Sequence, residues 1–303
     1  MGLKYCFFEK IEPIMDFTQT ITDQQIDQFI EQALHEDVRD GDHTSLACIP
    51  PGARTRSKLL IKDAGVVAGV ELAQHIFKKV DPKSKLDLYM KDGASVNYGD
   101  IVFEVDCNAR AMLMAERLVL NTMQRMSGIA TLSNRFKFEV EDLDVKILDT
   151  RKTTPLLRFL EKWAVKIGGC YNYRYGLYDW IMIKDNHIDA CGSITKAIER
   201  VNEYLKENNL NLGITVEVRN LVELYEVLKV GNVTRIMLDN FDIPILREAV
   251  LTIDGKFESE ASGGITINTV RKVAQTGVNY ISSGALTHSA QSMDISLKVI
   301  KEL

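Results

Sequence analysis

Apolar and polar positions follow two textures along this chain, and the change between them predicts two bodies of different build. In "TDQQIDQFIEQALHED" the residues Ile26, Phe29, Ile30, Ala33 and Leu34 fall on one helical face behind Thr22, which suits an N-cap. From Ser57 to Asp106 the runs shorten and read as strands, "KLLIKDAGVVAGV", "KLDLYM" and "SVNYGDIVFEV", punctuated by Gly65, Gly69, Gly93 and Gly99. A long helical segment follows, "RAMLMAERLVLNTMQRMSGIA", and residues 1–128 are expected to form an α+β domain. Beyond Val145 come the strand-like runs "VKILDT", "WIMIKD", "GITVEV", "TRIMLD", "FESEAS" and "NYISSG", most of them separated by helical segments such as "SITKAIERVNEYLKENN" and "NLVELYEVLKVGN". That alternation predicts a parallel sheet with helical crossovers, a barrel-like domain over 129–289, with a C-terminal helix over 290–303 packing back on the first domain.

The ends of the later runs carry the chemistry. Asp149, Arg151, Lys152, Lys184, Glu217, Asp239, Ser262, Ser282 and Ser283 fall at or just past strand ends, where α/β barrels gather their ligands. In "DTRKTTP" two adjacent cations follow a buried-looking strand, where a plain turn would use Gly, Asn or Asp. Arg151, Lys152, Arg174 and Lys184 suit a ligand bearing carboxylates or phosphates. Glu217 and Asp239, from successive units, suit a hard cation such as Mg²⁺ shared with phosphate oxygens. "EASGGIT" and "SSGALTHS" offer small residues and backbone N–H groups before helices, the setting of a phosphate site. On the long helix Arg117, Asn121 and Gln124 make a polar stripe, which is either its solvent face or a reach toward a ligand across a subunit interface.

Composition narrows the class. The 303 residues are 46% apolar and 26% charged, which argues against extended disorder, and a net charge of −5 gives no global basic field for nucleic acid or membrane. Against that acidic background the local Arg and Lys clusters stand out. Five scattered cysteines (Cys6, Cys48, Cys107, Cys170, Cys191) without CxxC spacing fit a reducing, cytoplasmic setting. The stretch "MGLKYCFFEKIEPIMDF" has charges among its apolar residues and makes a poor signal peptide, and its Cys6 stands where a myristoylation signal wants Ser or Thr. No run reaches the ~18 apolar residues of a membrane span. Neither Cys170 nor Cys191 has a partner suited to nucleophilic catalysis, and His187 in "KDNHID" reads as a structural hydrogen-bonder. The absence of G-x-S-x-G, P-loop and G-x-G-x-x-G motifs argues against hydrolase, NTPase and dinucleotide-binding readings.

Taken in order, "EDVRDGDHTS", "NTMQRMSGIATL", "LDTRKTTP", "LEKWAVKIGG", "GLYDWIMIKDNHI", "VEVRN", "IMLDNF", "EASGGIT" and "GALTHSA" closely resemble the quinolinate phosphoribosyltransferases, over nearly the whole chain. The resemblance implies an α/β fold: an N-terminal α+β sandwich domain and a C-terminal open, incomplete α/β barrel of about seven strands. It implies transfer of the phosphoribosyl group of phosphoribosyl pyrophosphate (PRPP) to quinolinate, giving nicotinate mononucleotide, CO₂ and pyrophosphate, with Mg²⁺ and no organic cofactor. It implies a homodimer with shared active sites, higher homo-oligomers being allowed. Carried over by motif, Arg151, Lys152, Tyr173, Arg174 and Lys184 bind quinolinate and Arg117 comes from the neighbouring subunit. Glu217, Asp239 and Lys152 serve catalysis, Glu217 and Asp239 also hold the metal, and Ser262, Gly263, Gly264, Ser283, Gly284 and Ala285 hold phosphate. The chain departs from the family where "GGCYNYR" replaces "GGGxNHR", placing Tyr173 for a His and Cys170 for a Gly, and where Leu156 replaces the Gly of "TTPG". Tyr173 can donate a hydrogen bond but carries no positive charge near neutral pH. Two competing readings are a related PRPP-dependent transferase of the molybdenum-operon type acting on another acid, and a non-catalytic binding protein that keeps the fold.

Overall fold

A computed structural model describes residues 21–302; the expectations for residues 1–17 and for Cys6 lie outside them. The described residues group into two compact units, one of 138–151 with 171–284, the other of 21–137 with 152–170 and 285–302.

The first unit is built on six parallel strands, β6 (Lys146–Leu148), β7 (Ile181–Ile183), β8 (Ile214–Val218), β9 (Arg235–Asp239), β10 (Glu258–Ser262) and β11 (Tyr280–Ser282), in the order β6-β11-β10-β9-β8-β7. An isolated parallel bridge between Leu148 and Tyr171 adds a further rung outside β6. Their β-branched and apolar residues are buried on both faces, as parallel strands require. One face of the sheet meets α8 (Leu221–Val230), α9 (Ile243–Ile253) and α10 (Val270–Ala274) through residues such as Val216, Leu224, Val227, Ile236, Leu246 and Val273. The other face curls on itself, so that Leu148, Tyr173 and Tyr280 near one edge share a cluster with Met237 and with Trp180 near the other. This is the expected open barrel. Its helices stop and start where the sequence says: Asn220 accepts from the Glu223 N–H (3.0 Å) at the start of α8, and Gly231 ends it.

The second unit has an antiparallel sheet, β12-β1-β5-β3, from β1 (Arg54–Ile61), β3 (Lys85–Leu88), β5 (Ile101–Asn108) and β12 (Ile295–Glu302). The short pair β2 (Gly65–Val66) and β4 (Ser95–Val96) lies apart from it. Along β1 the inward residues Thr55, Ser57, Leu59 and Ile61 alternate with Arg54 and Arg56, which pair with Asp106 and Glu104 of β5. The sheet packs with α3 (Val70–Val80) and α4 (Ala109–Glu139) through Phe77, Phe103, Ile76, Met123 and Met126. α1 (Asp23–Val38) and the short α2 (His43–Cys48) precede them, α1 capped by Thr22. α5 (Arg158–Ile167) completes the unit, and Gly168 at its end approaches α4 so closely that a Cβ would lie 2.4 Å from the Ala130 carbonyl.

Two expectations are corrected. Residues 295–302 form the strand β12 rather than a helix; the buried alternation of Ile295 and Leu297 is a period of two, and β1 offers an edge to pair with. The strand-like run "KLLIKDAGVVAGV" stops short of its last residue: Gly69 takes a left-handed conformation (φ 94°), Val70 opens α3, and Asp92 accepts from the Val70 and Glu71 N–H groups.

Candidate active site

Alternation along the barrel strands decides which side chains share the inner face. On β8 these are Thr215 and Glu217; on β9 Arg235, Met237 and Asp239; on β10 Glu258, Glu260 and Ser262; on β11 Tyr280 and Ser282. Parallel register sets Asp239 opposite Ser262 and Glu217 opposite Met237, so Asp239, Ser262 and Ser282 form the layer nearest the C-terminal ends and Glu217 stands one inward-facing position below them. Ligands bind at that end of such sheets.

Below that layer lies a floor. The Arg235 guanidinium, fully buried, donates to Glu260 (3.0 Å) and Glu258 (3.1 Å) and stacks over the Tyr280 ring at 3.7 Å. Burial works against its charge, but the neighbouring carboxylates more than offset this and its pKa is raised. Tyr173 sits in the same layer. Its hydroxyl meets Thr215 Oγ1 at 2.7 Å, and the Trp180 indole N–H donates to the same oxygen at 2.8 Å. Burial first, then the Glu260 charge, push its phenol well above the ordinary value, so it stays protonated. The tyrosine that replaces a family histidine is thus bonded to barrel-interior groups.

Fixed turns present the cations. Asp149, fully buried, accepts from the Tyr173 N–H (2.8 Å) and from Asn172 Nδ2 (2.7 Å), and Asp179 accepts from the N–H groups of Tyr175 and Gly176. Arg174, held between these anchors, donates Nη1 to the Trp180 carbonyl at 3.1 Å. Burial lowers its pKa, and the positive charge of Arg151 lowers it further. The two guanidiniums therefore feel one another, an arrangement that a dianion between them would relieve.

On the acidic side Lys184 Nζ donates to Glu217 Oε2 at 2.9 Å. Lys184 also opens the short helix α6 (Asp185–Cys191), where its backbone N–H donates to His187 Nδ1 at 2.9 Å. His187 is a structural hydrogen-bonder. Asp239 accepts from Asn240 Nδ2 (2.7 Å), and Asn240, left-handed at φ 57°, donates its N–H to the Ser262 carbonyl at 2.9 Å. A Cβ on Gly263 would lie 2.2 Å from the Asn240 side-chain oxygen, so only glycine fits there, and Gly264 follows with φ 59°. No helix begins directly after these glycines; α10 starts at Val270. Ser283 spends its hydroxyl on the Ile265 carbonyl (2.7 Å) and its N–H on Leu148, which leaves Gly263 and Gly264 as the more direct backbone candidates of this unit.

Three sequence-picked residues belong to the other unit. Lys152 accepts at its carbonyl from Thr287 Oγ1 (2.8 Å), and Ala285 opens the short helix α11 (Ala285–His288). Arg117 and Asn121 are exposed on α4, whereas Gln124 of the same stripe donates to the Ile295 carbonyl at 3.0 Å. Among the described residues no three His, Cys, Asp or Glu side chains gather as a metal site. Protein carboxylates at this rim thus amount to Glu217 and Asp239, enough for a Mg²⁺ that takes its remaining oxygens from substrate and water. Sequence reading missed Asn240, Thr215 and Arg235. Asn after Asp at a strand end was the signal for the first, since Asn tolerates the left-handed region.

Comparison with known proteins follows from this geometry. Residues 129–298 match the model of the quinolinate phosphoribosyl transferase C-terminal domain, and residues 42–127 that of its N-terminal domain. A Nicotiana tabacum protein named quinolinate phosphoribosyltransferase [decarboxylating] 1b is 48% identical over 90% of this chain and 82% of its own length. Another relative, the Arabidopsis thaliana nicotinate-nucleotide pyrophosphorylase [carboxylating], chloroplastic, matches at the same identity over the same shares. The crystal structure of NadC from Streptococcus pyogenes superposes with a TM-score of 0.88 at 38% identity, covering 93% of this chain and 99% of that one.

Proposed function

The chain belongs to the quinolinate phosphoribosyltransferase family, and on that premise we propose how its residues divide the work of the reaction. The enzyme transfers the phosphoribosyl group of PRPP to quinolinate with decarboxylation, giving nicotinate mononucleotide, CO₂ and pyrophosphate. The observation that carries the division is a cation, Arg174, fixed at the Trp180 carbonyl in the same unit as two carboxylates, Glu217 fixed by Lys184 and Asp239 fixed by Asn240.

Quinolinate brings two carboxylates, and Arg151, Arg174, Lys184 and the next residue after Arg151, Lys152, are its partners. Tyr173 acts from beneath, through Arg174, rather than on the substrate. As pyrophosphate leaves, positive charge builds on the ribose carbon, and Glu217, held by Lys184, stabilises it while the pyridine nitrogen attacks. The quaternary ring nitrogen then accepts the electron pair left by departing CO₂, so the protein supplies position and charge and needs no organic cofactor. Asp239, aimed by Asn240, faces the ribose and, with Glu217, would hold Mg²⁺, which neutralises the charge gathering on pyrophosphate when bound. Backbone at Gly263, Gly264, Gly284 and Ala285 takes the phosphate, with Ser262 and Ser283 shaping those turns.

The enzyme works as a homodimer in which Arg117 reaches the partner's site; its exposure on α4, beside exposed Leu113 and Asn121, supports this. Among the described residues no helix is long and apolar enough to cross a membrane. Cys48, Cys107, Cys170 and Cys191 are unbridged, which supports a reducing compartment and, for this chain, the cytoplasm. The deciding assay is release of pyrophosphate and CO₂ from quinolinate plus PRPP, with nicotinate as control. Turnover of nicotinate or another monoacid in preference to quinolinate would overturn the assignment. Mixing Arg117→Ala with Lys152→Ala protein restores activity if Arg117 acts in trans, because one of the two hybrid sites then carries neither lesion. Demonstrated subunit exchange without recovery places Arg117 elsewhere.

A further inference from the structure

A closed ring of hydrogen bonds lies within the unit that carries Lys152 and Ala285. Thr287 Oγ1 donates to the Lys152 carbonyl at 2.8 Å, and the Thr287 carbonyl accepts from Arg125 Nη2 at 2.7 Å. Arg125 Nη2 and Nε both donate to Glu161 Oε1, at 2.8 and 3.1 Å. Glu161 in turn accepts from Thr154 Oγ1 (2.8 Å) and the Thr154 N–H (3.2 Å), and Thr154 stands two residues after Lys152, which closes the circuit. Arg125 Nη1 adds a bond to the Ala290 carbonyl at 3.0 Å. Glu161 and Thr287 are 1% and 0% exposed, so the ring has a buried inner side, where a hydrogen bond counts for more and its loss leaves a bare partner, while Lys152 and Thr154 face solvent.

None of Arg125, Glu161, Thr154 and Thr287 has a place in the division of roles above. Yet the ring fastens the loop of Lys152, assigned to quinolinate, to the segment starting at Ala285, assigned to phosphate. We propose that Arg125, Glu161 and Thr287 are positioning residues that hold these two segments in one register, so that breaking one link weakens the binding of both substrates together. The proposal deepens the functional reading and rests on it for the roles of Lys152 and Ala285.

Thr287→Val is the test, because it keeps the side-chain shape and removes only the hydroxyl that reaches Lys152. KM for quinolinate and KM for PRPP are each expected to rise about 3- to 10-fold, the range of one buried hydrogen bond. kcat stays within about twofold, and Thr287→Ser restores both constants. Glu161→Gln moves them in the same direction. A rise in one KM alone overturns the shared register. So does a fall in kcat with both KM values intact, the signature of a smaller active fraction. A second readout needs no turnover: tryptic cleavage after Lys152, timed by mass spectrometry, accelerates by a similar factor in Thr287→Val and not in Thr287→Ser. Unchanged cleavage sinks the ring even if the functional reading stands. Faster cleavage in a protein that does not use quinolinate sinks the functional reading alone.

Discussion

Replacing Arg235 by Met takes the cation out of the barrel floor while leaving apolar bulk in its place. Glu260, fully buried, then loses its ion-pair partner at 3.0 Å, and Glu258 loses its own at 3.1 Å. Removing one member of a buried pair costs about 3–5 kcal/mol, because the remaining charge has neither water nor a counter-ion. The 3.7 Å stack on Tyr280 adds about 1–2 kcal/mol for a desolvated cation over an aromatic face. The sum, roughly 4–7 kcal/mol, corresponds to a midpoint lowered by about 6–11 °C in a protein of this size. Trp180, whose ring lies 5.7 Å from the guanidinium, is a local fluorescent reporter once Trp163 is changed to Phe. Urea unfolding in that background is then run for Arg235→Met, Glu260→Gln and the double variant. Glu260→Gln is expected to destabilise the parent by about 1–3 kcal/mol, since Arg235 loses a charged acceptor. In the Arg235→Met background the same change removes an uncompensated carboxylate and is expected to stabilise. That reversal of sign is the signature of coupling. Equal destabilisation by Glu260→Gln in both backgrounds would refute the account of the floor as a coupled charge network.

Three further outcomes follow from the same coordinates. Leu156 is left-handed (φ 66°) and 90% exposed, so Leu156→Gly relieves about 1–2 kcal/mol of backbone strain against about 0.5–1 kcal/mol of added chain entropy. A net gain near 0.5–1 kcal/mol in thermal or urea unfolding is expected, and a loss would contradict the strain. Asn240→Ala removes both the side chain that aims Asp239 and a residue tolerant of φ 57°; kcat is expected to fall about tenfold with quinolinate KM nearly unchanged, as steady-state kinetics will decide. Burial pushes the Cys107 thiol up to about 12, so at pH 8 a disulfide reagent should label exposed Cys48 quickly and Cys107 only on unfolding. Rapid labelling of Cys107 in the folded enzyme would contradict its burial.

The barrel was legible because its strands are short apolar runs at even spacing, and Glu217, Asp239 and Ser262 could be placed at strand ends by counting residues. The floor was not legible. Arg235, Glu258 and Glu260 read as polar interruptions of strands, and only the curl of the sheet turns them inward against Tyr280 and Trp180. The Tyr173 contact was not legible for the same reason: its sequence neighbour Arg174 stays by Trp180, while the Tyr173 hydroxyl meets Thr215 across the barrel. β12 was misread although Ile295 and Leu297 alternate with polar residues, because its partner β1 lies far away in sequence and no local signal announces it. The "GVVAGVELA" stretch looked β-rich to the end, and the carboxylate that starts its helix, Asp92, comes after the helix is over.

β12 also has a consequence for how the polypeptide is made. Ile61 pairs with Ile295, 234 positions later, so one edge of β1 meets its neighbour only when the last tenth of the message has been translated. At roughly 5–20 residues per second the ribosome leaves that edge open for something on the order of 10–50 s. During that interval the nascent chain presents a row of unpaired backbone groups, the kind of edge that recruits strands from other chains. Arg54, Arg56 and Lys58 lie along that strand and β12 itself carries Lys298, so charge sits at the seam before and after it closes. The barrel's strands β7 to β11, by contrast, each pair with a strand close by in translation order and can assemble as they emerge.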